Sequence, residues 1–287
     1  MKRSALVGLS TLLQRAQKER YAVPGFNFCN AETAQAIVEE CAALRSPALL
    51  MIGTWEIPLL GPGVLADIVT SLASRADVPV CLLLDHAPDI ELVRECIAAG
   101  FSSVMMDASQ HDFEENVRLT RAVVELAAQK DVDVEGELGS VGRVDDPVIE
   151  GGGEPRLTDP DEVAEFVERT GIRALAVAIG NAHGIYRQRP ELDFERLQAI
   201  RKATDVPLVL HGGSGTPADQ LSRAIEIGIS KVNVATELSR AYLEGVQKAI
   251  AAREHIWYAD ALLDAKAATA QVVRRWVRQL GSGGKSP

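Results

Sequence analysis

Residues 79–106 read PVCLLLDHAPDIELVRECIAAGFSSVMM and carry the pattern of a strand, a helix and a second strand. The apolar run at 79–85 is followed by apolar residues at helical spacing and then by another apolar run at 101–106. This alternation predicts parallel strands joined by a right-handed crossover. The first run ends in Asp85 and His86, so two reactive side chains stand where the strand meets its loop.

The same alternation continues along the chain. Several strand candidates are nearly continuous apolar runs, as expected for a parallel sheet covered by helices. A doubly wound open sheet is the alternative, but such a sheet gathers its ligand at one switch point, whereas polar residues follow six strands here. We therefore predict an α/β fold, a (β/α)8 TIM barrel, with extra C-terminal helices at 236–253 and 260–280. The predicted strands are 22–28, 48–53, 79–85, 101–106, 132–138, 173–179, 206–210 and 229–234.

The length of 287 residues suits one large barrel domain. We expect a single domain over 1–280 and a disordered tail at 281–287, GSGGKSP. Residues 1–20 have the spacing of an amphipathic helix and lack the apolar core of a signal peptide. No apolar run approaches the roughly 20 residues that cross a bilayer. The sequence thus predicts a cytoplasmic protein without a membrane partner.

The formal net charge of −10 argues against a nucleic-acid surface. Any phosphorylated substrate must then be captured by a local site rather than by a general positive field. The four cysteines show no CxxC spacing, so they are interpreted as reduced thiols without a functional role.

Three histidines stand at matching places, just past apolar runs. They are His86, His183 and His211. Each alone fits a surface or capping residue, but the C-terminal ends of barrel strands meet at one mouth, where barrel enzymes carry their chemistry. Three imidazoles and one open position are typical of a catalytic zinc. The shared placement therefore favours a metal site.

Carboxylates accompany these histidines. Asp85 and His86 are adjacent, so both reach the mouth only if the chain turns there; Asp89 competes with Asp85 for the capping role. Glu135 and Glu137 share one face of the fifth strand, the predicted barrel interior. Buried carboxylates need a cation or a polar partner, and Glu137, nearer the mouth, is the better candidate for a place near the metal.

Glycine-rich segments predict a phosphate site. The loop HGGSG, 211–215, follows the seventh strand, and NVAT, 233–236, follows the eighth and opens a helix. Backbone N–H groups of glycine loops and helix N-termini bind anions, and barrels place phosphates at these two strands. The segment 139–158, rich in glycine and without periodicity, is expected to be a mobile loop that closes over the mouth.

Seven ordered motifs extend over roughly residues 5–280: YAVPGFNF, LLLDHA, SSVMMDAS with FEEN, VEGELG, LAVAIGNAHGIY, LVLHGGSG and KVNVATE. In them the chain resembles the class II, metal-dependent ketose-bisphosphate aldolases, most of all the tagatose-type branch. The resemblance implies Zn²⁺ bound by His86, His183 and His211, with Glu137 near a second or displaced metal position. It also implies that Asp85 is the acid/base group at the C4 oxygen of the substrate.

The resemblance further implies a sugar-phosphate partner. The phosphate of dihydroxyacetone phosphate would lie on the glycine loop, with Asn233 also reaching its hydroxyl group, and a monovalent cation (Na⁺ or K⁺) would lie near that phosphate. Members of the family are usually homodimers or homotetramers. The implied substrate-binding residues are Asn27, Thr54, Gly184, Gly212, Gly213, Ser214, Asn233, Ala235 and Thr236.

The loop after the fifth strand departs from the family pattern. Family members commonly carry there a glutamate that exchanges a proton at the nucleophilic carbon; here Asp145 stands at that position, followed by Pro147. Asp145 is the second catalytic candidate, with Glu150 and Glu154 as alternatives. A different reaction is the remaining interpretation.

The wall for the aldehyde half also departs from the family. Trp55 interrupts a run that is usually small and polar, and Leu263 stands where many fructose-type members have a basic residue for the second phosphate. Lys266 or Arg187 could compensate; otherwise the aldehyde is unphosphorylated.

These observations favour an aldolase that cleaves tagatose or fructose 1,6-bisphosphate to dihydroxyacetone phosphate and an aldehyde such as glyceraldehyde 3-phosphate. One alternative is an aldolase for another phosphorylated keto-sugar or sugar acid. An alternative of another class is a non-catalytic regulatory subunit that binds metal and phosphate.

Overall fold

The computed structural model describes residues 6–143, 155–184, 186 and 188–286. Eight of its strands hydrogen-bond in parallel as a closed barrel, and each of the eight overlaps a predicted strand, which confirms the TIM barrel. The strands are β1 (Val23–Asn27), β2 (Ala48–Ile52), β3 (Val80–Ala87), β4 (Ser103–Met106), β5 (Asp133–Leu138), β6 (Gly142–Arg143), β7 (Ala174–Val177), β8 (Ala182–His183), β9 (Leu208–Leu210) and β10 (Ile229–Val234).

The barrel closes where β1 pairs with β10, with Val23 in register with Lys231. The two-residue strands β6 and β8, which the sequence did not predict, pair with each other outside the barrel. The helices are α1 (Leu9–Glu19), α2 (Ala31–Ala43), α3 (Ile57–Ala73), α4 (Ile90–Ala99), α5 (Phe113–Ala128), α6 (Pro160–Thr170), α7 (Phe194–Ala203), α8 (Ala218–Ile227), α9 (Thr236–Ala252) and α10 (Tyr258–Gln279).

Side-chain caps fix where several helices begin. An Asn or Asp just before each of α2, α4, α5, α6 and α7 accepts a hydrogen bond from a backbone N–H of the first turn, which otherwise has no partner within the helix. Asp89 is the cap of α4, so Asp85 is not needed for that role. The capping residues are Asn30, Asp89, Asp112, Asp159 and Asp193.

Helix α1 packs its apolar face on the barrel interior, as the amphipathic pattern predicts. Its buried leucines join an interior cluster with Leu49, Met51 and other barrel side chains. The N–H of Leu9 donates to Ser103 Oγ at 2.9 Å, and the N–H of Ser10 donates to Asp133 Oδ2 at 2.7 Å. These bonds satisfy the first turn of α1 and fix it on β4 and β5.

Strand β3 is irregular at the place where the sequence demands a turn. His86 has a φ of 52°, in the left-handed region, and the register with β4 shifts between Leu84 and Ala87. A non-glycine residue in this region costs about 1 kcal/mol or more, so surrounding contacts must hold it. The irregularity explains how Asp85 and His86, although adjacent, both face the mouth.

The structure corrects the prediction of a disordered tail for residues 281–286. Ser282 and Ser286 are buried, the N–H of Gly284 donates to the carbonyl of Leu44, and the N–H of Ser286 donates to that of Arg45. Glycine and serine suggested disorder by composition, but these backbone bonds to the end of α2 supply an ordered path. Pro287 lies outside the described residues.

The C-terminal helices α9 and α10 pack closely against each other, and α10 also packs against α2. A Cβ on Gly245 of α9 would lie 2.7 Å from the Cα of Ala265 of α10, so only glycine allows this approach. Arg274 of α10 forms an ion pair with Glu40 of α2 at 2.8 Å. No helix among the described residues is long and apolar enough to span a membrane.

Candidate active site

Three imidazole rings meet at the C-terminal mouth of the barrel. His86 lies at the irregular end of β3, His183 on β8 and His211 directly after β9. Their ring centroids are 4.6 to 5.8 Å apart. The structure thus brings together the three histidines that the sequence proposed as one metal site.

Carboxylates orient two of these rings. Asp107 Oδ2 lies 2.7 Å from Nδ1 of His86, and Glu135 Oε1 lies 3.0 Å from Nε2 of His211. Because an ionised carboxylate only accepts hydrogen bonds, these nitrogens carry the proton. The opposite nitrogens, His86 Nε2 and His211 Nδ1, are buried and make no hydrogen bond among the described residues, although His211 Nδ1 lies 3.4 Å from Glu137 Oε2.

A divalent metal fits this arrangement. One potential ligand atom from each histidine lies within 4.8 Å of the others. Buried imidazole nitrogens without partners are costly in a protein interior, and a carboxylate on the far nitrogen is the usual partner of a metal-ligating histidine. Three nitrogen donors with room for a fourth ligand are the donor set of catalytic zinc sites.

The charges of the rings follow from their neighbours. Burial lowers the pKa of His86, but Asp85 and Asp107 outweigh burial and hold this pKa well above its usual value. Burial lowers the pKa of His211 below its usual value in spite of Glu135. Metal ligation at His86 Nε2 therefore requires the loss of a proton, as metal binding to histidine generally does.

A second group of potential ligands adjoins the first. His86, Asp107 and Glu137 offer atoms within 4.8 Å of one another, and this is where the sequence analysis expected Glu137 to lie. Burial and the charge of Asp107 raise the pKa of Glu137 to about 8. Asp107 was not predicted as a site residue, although it directly follows β4 much as His86 follows the apolar run of β3.

A buried ion pair adjoins His211 on the side of Glu135. Lys231 Nζ lies 2.7 Å from Glu135 Oε2, and both side chains are fully buried. Burial alone would raise the pKa of Glu135, but Lys231 and His211 lower it to about 2. Glu135 is thus an ionised acceptor for His211, a role that the sequence analysis did not assign.

Asp85 lies beside the histidines with both oxygens held. Asn27 Nδ2 donates to Oδ2 and Asn233 Nδ2 donates to Oδ1, each at 3.2 Å. Burial raises its pKa, but His86 and Lys231 outweigh burial, so the pKa of Asp85 lies below its usual value. The side chain is an ionised carboxylate that lines the mouth and can accept a proton.

Asp85, His86 and His183 line one large cavity of about 1030 Å³, whereas His211 is fully buried and does not line it. Gly213 does not line it: its N–H donates to the carbonyl of Asn233, and a Cβ there would lie 2.7 Å from that oxygen. Asp145 lies outside the described residues. The other predicted substrate-binding residues all line the cavity: Asn27, Thr54, Gly184, Gly212, Ser214, Asn233, Ala235 and Thr236.

The glycine loop is shaped by close contacts. Gly212 has a φ of 64°, and a Cβ there would lie 2.0 Å from the carbonyl oxygen of Ala182 on β8. Only glycine therefore lets the loop pass beside the strand that carries His183. The loop ends against the first turn of α9, whose N-terminus at Thr236 opens on the cavity. Free N–H groups at a helix N-terminus favour an anion.

The far side of the cavity consists of Trp55 and one face of α9, with Arg240, Leu243, Glu244 and Gln247. We call these five residues the outer wall. Arg240 is the one lysine or arginine among the cavity-lining residues that the structure describes.

The structure corrects the interpretation of Leu263 as part of this wall. Leu263 is 60% exposed on α10 and does not line the cavity. Lys266, proposed to compensate for it, pairs instead with Glu39 of α2 at 2.7 Å. Arg187 lies outside the described residues.

A family model described as fructose-bisphosphate aldolase class-II matches residues 7–285. Among solved structures, the YdjI aldolase from Escherichia coli K12 is 33% identical with a TM-score of 0.87, covering 98% of this chain and 100% of that one. A putative fructose-1,6-biphosphate aldolase from Coccidioides immitis is 31% identical with a TM-score of 0.88, covering 99% of both chains. The fructose-bisphosphate aldolase (Fba) from Campylobacter jejuni, at 23% identity and a TM-score of 0.82 over 97% of this chain and 95% of that one, shares the fold.

Proposed function

The chain belongs to the class-II fructose-bisphosphate aldolase family, and from this membership we propose a zinc-dependent cleavage of a phosphorylated ketose. The enzyme is an aldolase, and therefore a lyase. The proposed substrate is tagatose or fructose 1,6-bisphosphate. The products are dihydroxyacetone phosphate and an aldehyde such as glyceraldehyde 3-phosphate.

One observation carries the proposal: the ionised carboxylate of Asp85, two members of the three-histidine group (His86 and His183) and the glycine loop line the same cavity, and His211 lies against them. Reversible aldol cleavage needs a base for a hydroxyl proton, a sink for the electrons left on the ketone fragment, and an anchor for the phosphate. Asp85, the histidines and the loop from Gly212 to Ser214 match these three needs in turn.

The residues around the bond that breaks have separate tasks. Asp85 accepts the C4 hydroxyl proton on a carboxylate oxygen during cleavage and returns it during condensation, which is general acid/base catalysis typically worth about 10²- to 10⁴-fold in rate. Asn27 and Asn233 hold the two oxygens of this carboxylate in place. A Zn²⁺ held by His86, His183 and His211 supplies a Lewis acid that stabilises negative charge on the ketone fragment, so no Schiff base is needed.

The phosphate is proposed to lie between the glycine loop and the first turn of α9. Ser214, Asn233 and Thr236 present polar groups there, and a monovalent cation (Na⁺ or K⁺) is part of the proposal. Glu137 is proposed to lie near a second or displaced metal position. Asp145 is proposed to exchange the proton at the nucleophilic carbon, and the enzyme to act in the cytoplasm as a homodimer or homotetramer.

The outer wall favours a second candidate, an aldolase for another phosphorylated keto-sugar or sugar acid. No lysine or arginine other than Arg240 lines the described part of the cavity, and Arg240 is paired with Glu244 at 2.6 Å. A second phosphate would thus find fewer binding groups in this cavity than the phosphate proposed at the glycine loop. The proposal for the ketose half is the same in both cases.

A coupled assay for dihydroxyacetone phosphate tests the proposal. The purified, zinc-loaded protein is incubated with fructose and tagatose 1,6-bisphosphates, their monophosphates and phosphorylated keto-sugar acids, before and after chelation. We expect at least one substrate to release dihydroxyacetone phosphate. This activity should be lost on chelation and should return when zinc is added. Release that survives complete metal removal, or no release from any of these substrates, would contradict the proposal.

A further inference from the structure

Glu237, in the first turn of α9, both donates a hydrogen bond to the glycine loop and accepts one from it. Its backbone N–H donates to Ser214 Oγ at 3.2 Å, and its Oε1 accepts the N–H of Gly215 at 2.9 Å. One residue of α9 therefore fixes two consecutive residues of the loop. Glu237 has no role in the proposed reaction, and it does not line the cavity.

The other carboxylate oxygen of Glu237 faces α10. Trp276 Nε1 donates to Oε2 at 3.0 Å, and Arg275 forms an ion pair with the same oxygen. Trp276 is almost fully buried, so its ring and N–H are fixed by packing. The two donors of α10 thus determine how the carboxylate is turned, and they leave Oε1 for the N–H of Gly215.

The charge balance explains why a carboxylate is tolerated beside an anion site. A negative side chain in the first turn of a helix competes with a ligand anion for the same positive end of the helix dipole. Arg275 supplies a compensating positive charge on the side away from the cavity. The pair thereby holds the loop in position without adding net negative charge near the proposed phosphate.

We propose that Glu237 is a positioning residue for the phosphate, and that the C-terminal helix α10 sets phosphate affinity through it. The inference rests on the proposed function, because it assumes a phosphate on the loop from Gly212 to Ser214. The chain of contacts runs from Arg275 and Trp276 through Glu237 to Gly215. The extra helices of this barrel are then part of substrate binding as well as of the fold.

The expected signature follows from where the phosphate stands in the reaction. The phosphate is remote from the bond that breaks, so loosening its anchor weakens substrate and transition state alike, which raises KM with little change in kcat. Loss of a hydrogen bond to a charged group corresponds to about tenfold in a binding constant. Removing the Glu237 carboxylate relieves little repulsion, because Arg275 already balances its charge.

The test compares two neighbouring arginines of α10. Arg275→Ala removes the pair with Glu237, whereas Arg274→Ala removes the pair with Glu40 on α2 and does not touch the loop. Glu237→Ala and the double variant Glu237→Ala/Arg275→Ala complete the set. Each full-length, zinc-loaded protein is measured for the Kd of dihydroxyacetone phosphate by calorimetry, for KM, kcat and zinc content, and for its unfolding midpoint.

We expect Glu237→Ala to raise both Kd and KM about tenfold, with kcat within about threefold of wild type and zinc retained. Arg275→Ala, whose side chain is partly exposed, should raise Kd about threefold, and the double variant should not exceed Glu237→Ala. Arg274→Ala should leave Kd within about twofold of the wild-type value, even if its unfolding midpoint falls as much as that of Arg275→Ala.

Equal Kd values for Arg274→Ala and Arg275→Ala, or a wild-type Kd in Glu237→Ala, would overturn the inference and leave the proposed function intact. If Glu237→Ala does not fold, the comparison of the two arginine variants decides. Failure of the wild-type protein to bind dihydroxyacetone phosphate would overturn the proposed function and the inference together, and the wild-type measurement alone identifies that outcome.

Discussion

The two sides of the cavity differ in how firmly their polar groups are held. One side is lined by Asn27, Asp85, His86 and Asn233, and the fully buried His211 lies next to His86 behind this lining; we call these five residues the inner wall. Their side chains are mostly buried and make hydrogen bonds to partners on other strands and loops. On the outer wall, Trp55 is 74% exposed, and the one ion-pair partner of Arg240 among the described residues is Glu244, one turn away on the same helix.

This difference separates reaction from selectivity. A proton transfer and a metal site need atoms held within fractions of an ångström, and crossed hydrogen bonds between several strands provide that. An exposed surface on one helix face and one loop tolerates substitution at little cost in stability, typically within about 0.5 kcal/mol. The inner wall should therefore fix the chemistry, and the outer wall the aldehyde.

The strongest test of the inner wall is His211→Ala. Removal of one of three neutral nitrogen donors should lower zinc content to background and abolish cleavage, measured by atomic emission and the coupled assay. The matched control is His111→Ala, which alters an exposed histidine away from the cavity. Full zinc occupancy in His211→Ala would contradict the assignment of this ring as a ligand.

The next test concerns the proton rather than the metal. Asp85→Asn keeps the size of the side chain but cannot accept the hydroxyl proton, so kcat should fall about 10²- to 10⁴-fold with zinc retained. Asp89→Asn in the same loop is the control, because asparagine caps α4 as well as aspartate does. An Asp85→Asn protein with normal turnover would remove this residue from the mechanism.

A smaller effect is expected at Glu135, which contacts His211 and not the proposed metal. Glu135→Gln should weaken zinc binding about 10- to 100-fold, because the ring is less firmly oriented and less basic. Zinc affinity is measured by competition with a chromogenic chelator. Asp133→Asn, on the same strand but bonded to α1, is the control, and equal zinc affinities for the two variants would refute the orienting role.

The smallest effect belongs to the outer wall. Trp55→Ala should leave zinc content and unfolding midpoint unchanged and should alter the ratio of kcat/KM for two aldehydes, in the condensation direction, about two- to fivefold. Leu60→Ala, also exposed but outside the cavity lining, is the control. A uniform loss of kcat with every aldehyde would mean that Trp55 acts on the chemistry, and the contrast between the walls would fail.

The sequence predicted the barrel well because its strands carry their own signal. Most of the eight barrel strands fall in apolar runs, and β5 alternates apolar and acidic residues, whereas β6 and β8, with two residues each, leave no periodicity to detect. The prediction that residues 281–286 are disordered was wrong, because their order comes from backbone hydrogen bonds to Leu44 and Arg45, which are remote in sequence. Composition alone reports local preference and not such contacts.

The site was predictable to the extent that strand ends converge. His86, His183 and His211 could be placed on one mouth because every barrel strand ends there. Which nitrogen of the His86 and His211 rings faces the centre depends on Asp107 and Glu135, which are distant from these histidines in sequence but adjacent in space. The position of Leu263 depends on how α10 packs across α9 and α2, and that packing has no signature in a single helix.

The pairing of β1 with β10 also constrains the order of events when the chain is made. Val23 pairs in the sheet with Lys231, which lies near the other end of the chain. Leu9 and Ser10 likewise contact Ser103 and Asp133. Contacts so distant in sequence are slow to form, because the loop must close before they contribute stability. During synthesis from the N-terminus, His86 therefore leaves the ribosome long before His211, so we expect the three-histidine group to be complete, and able to hold the proposed metal, only near the end of folding.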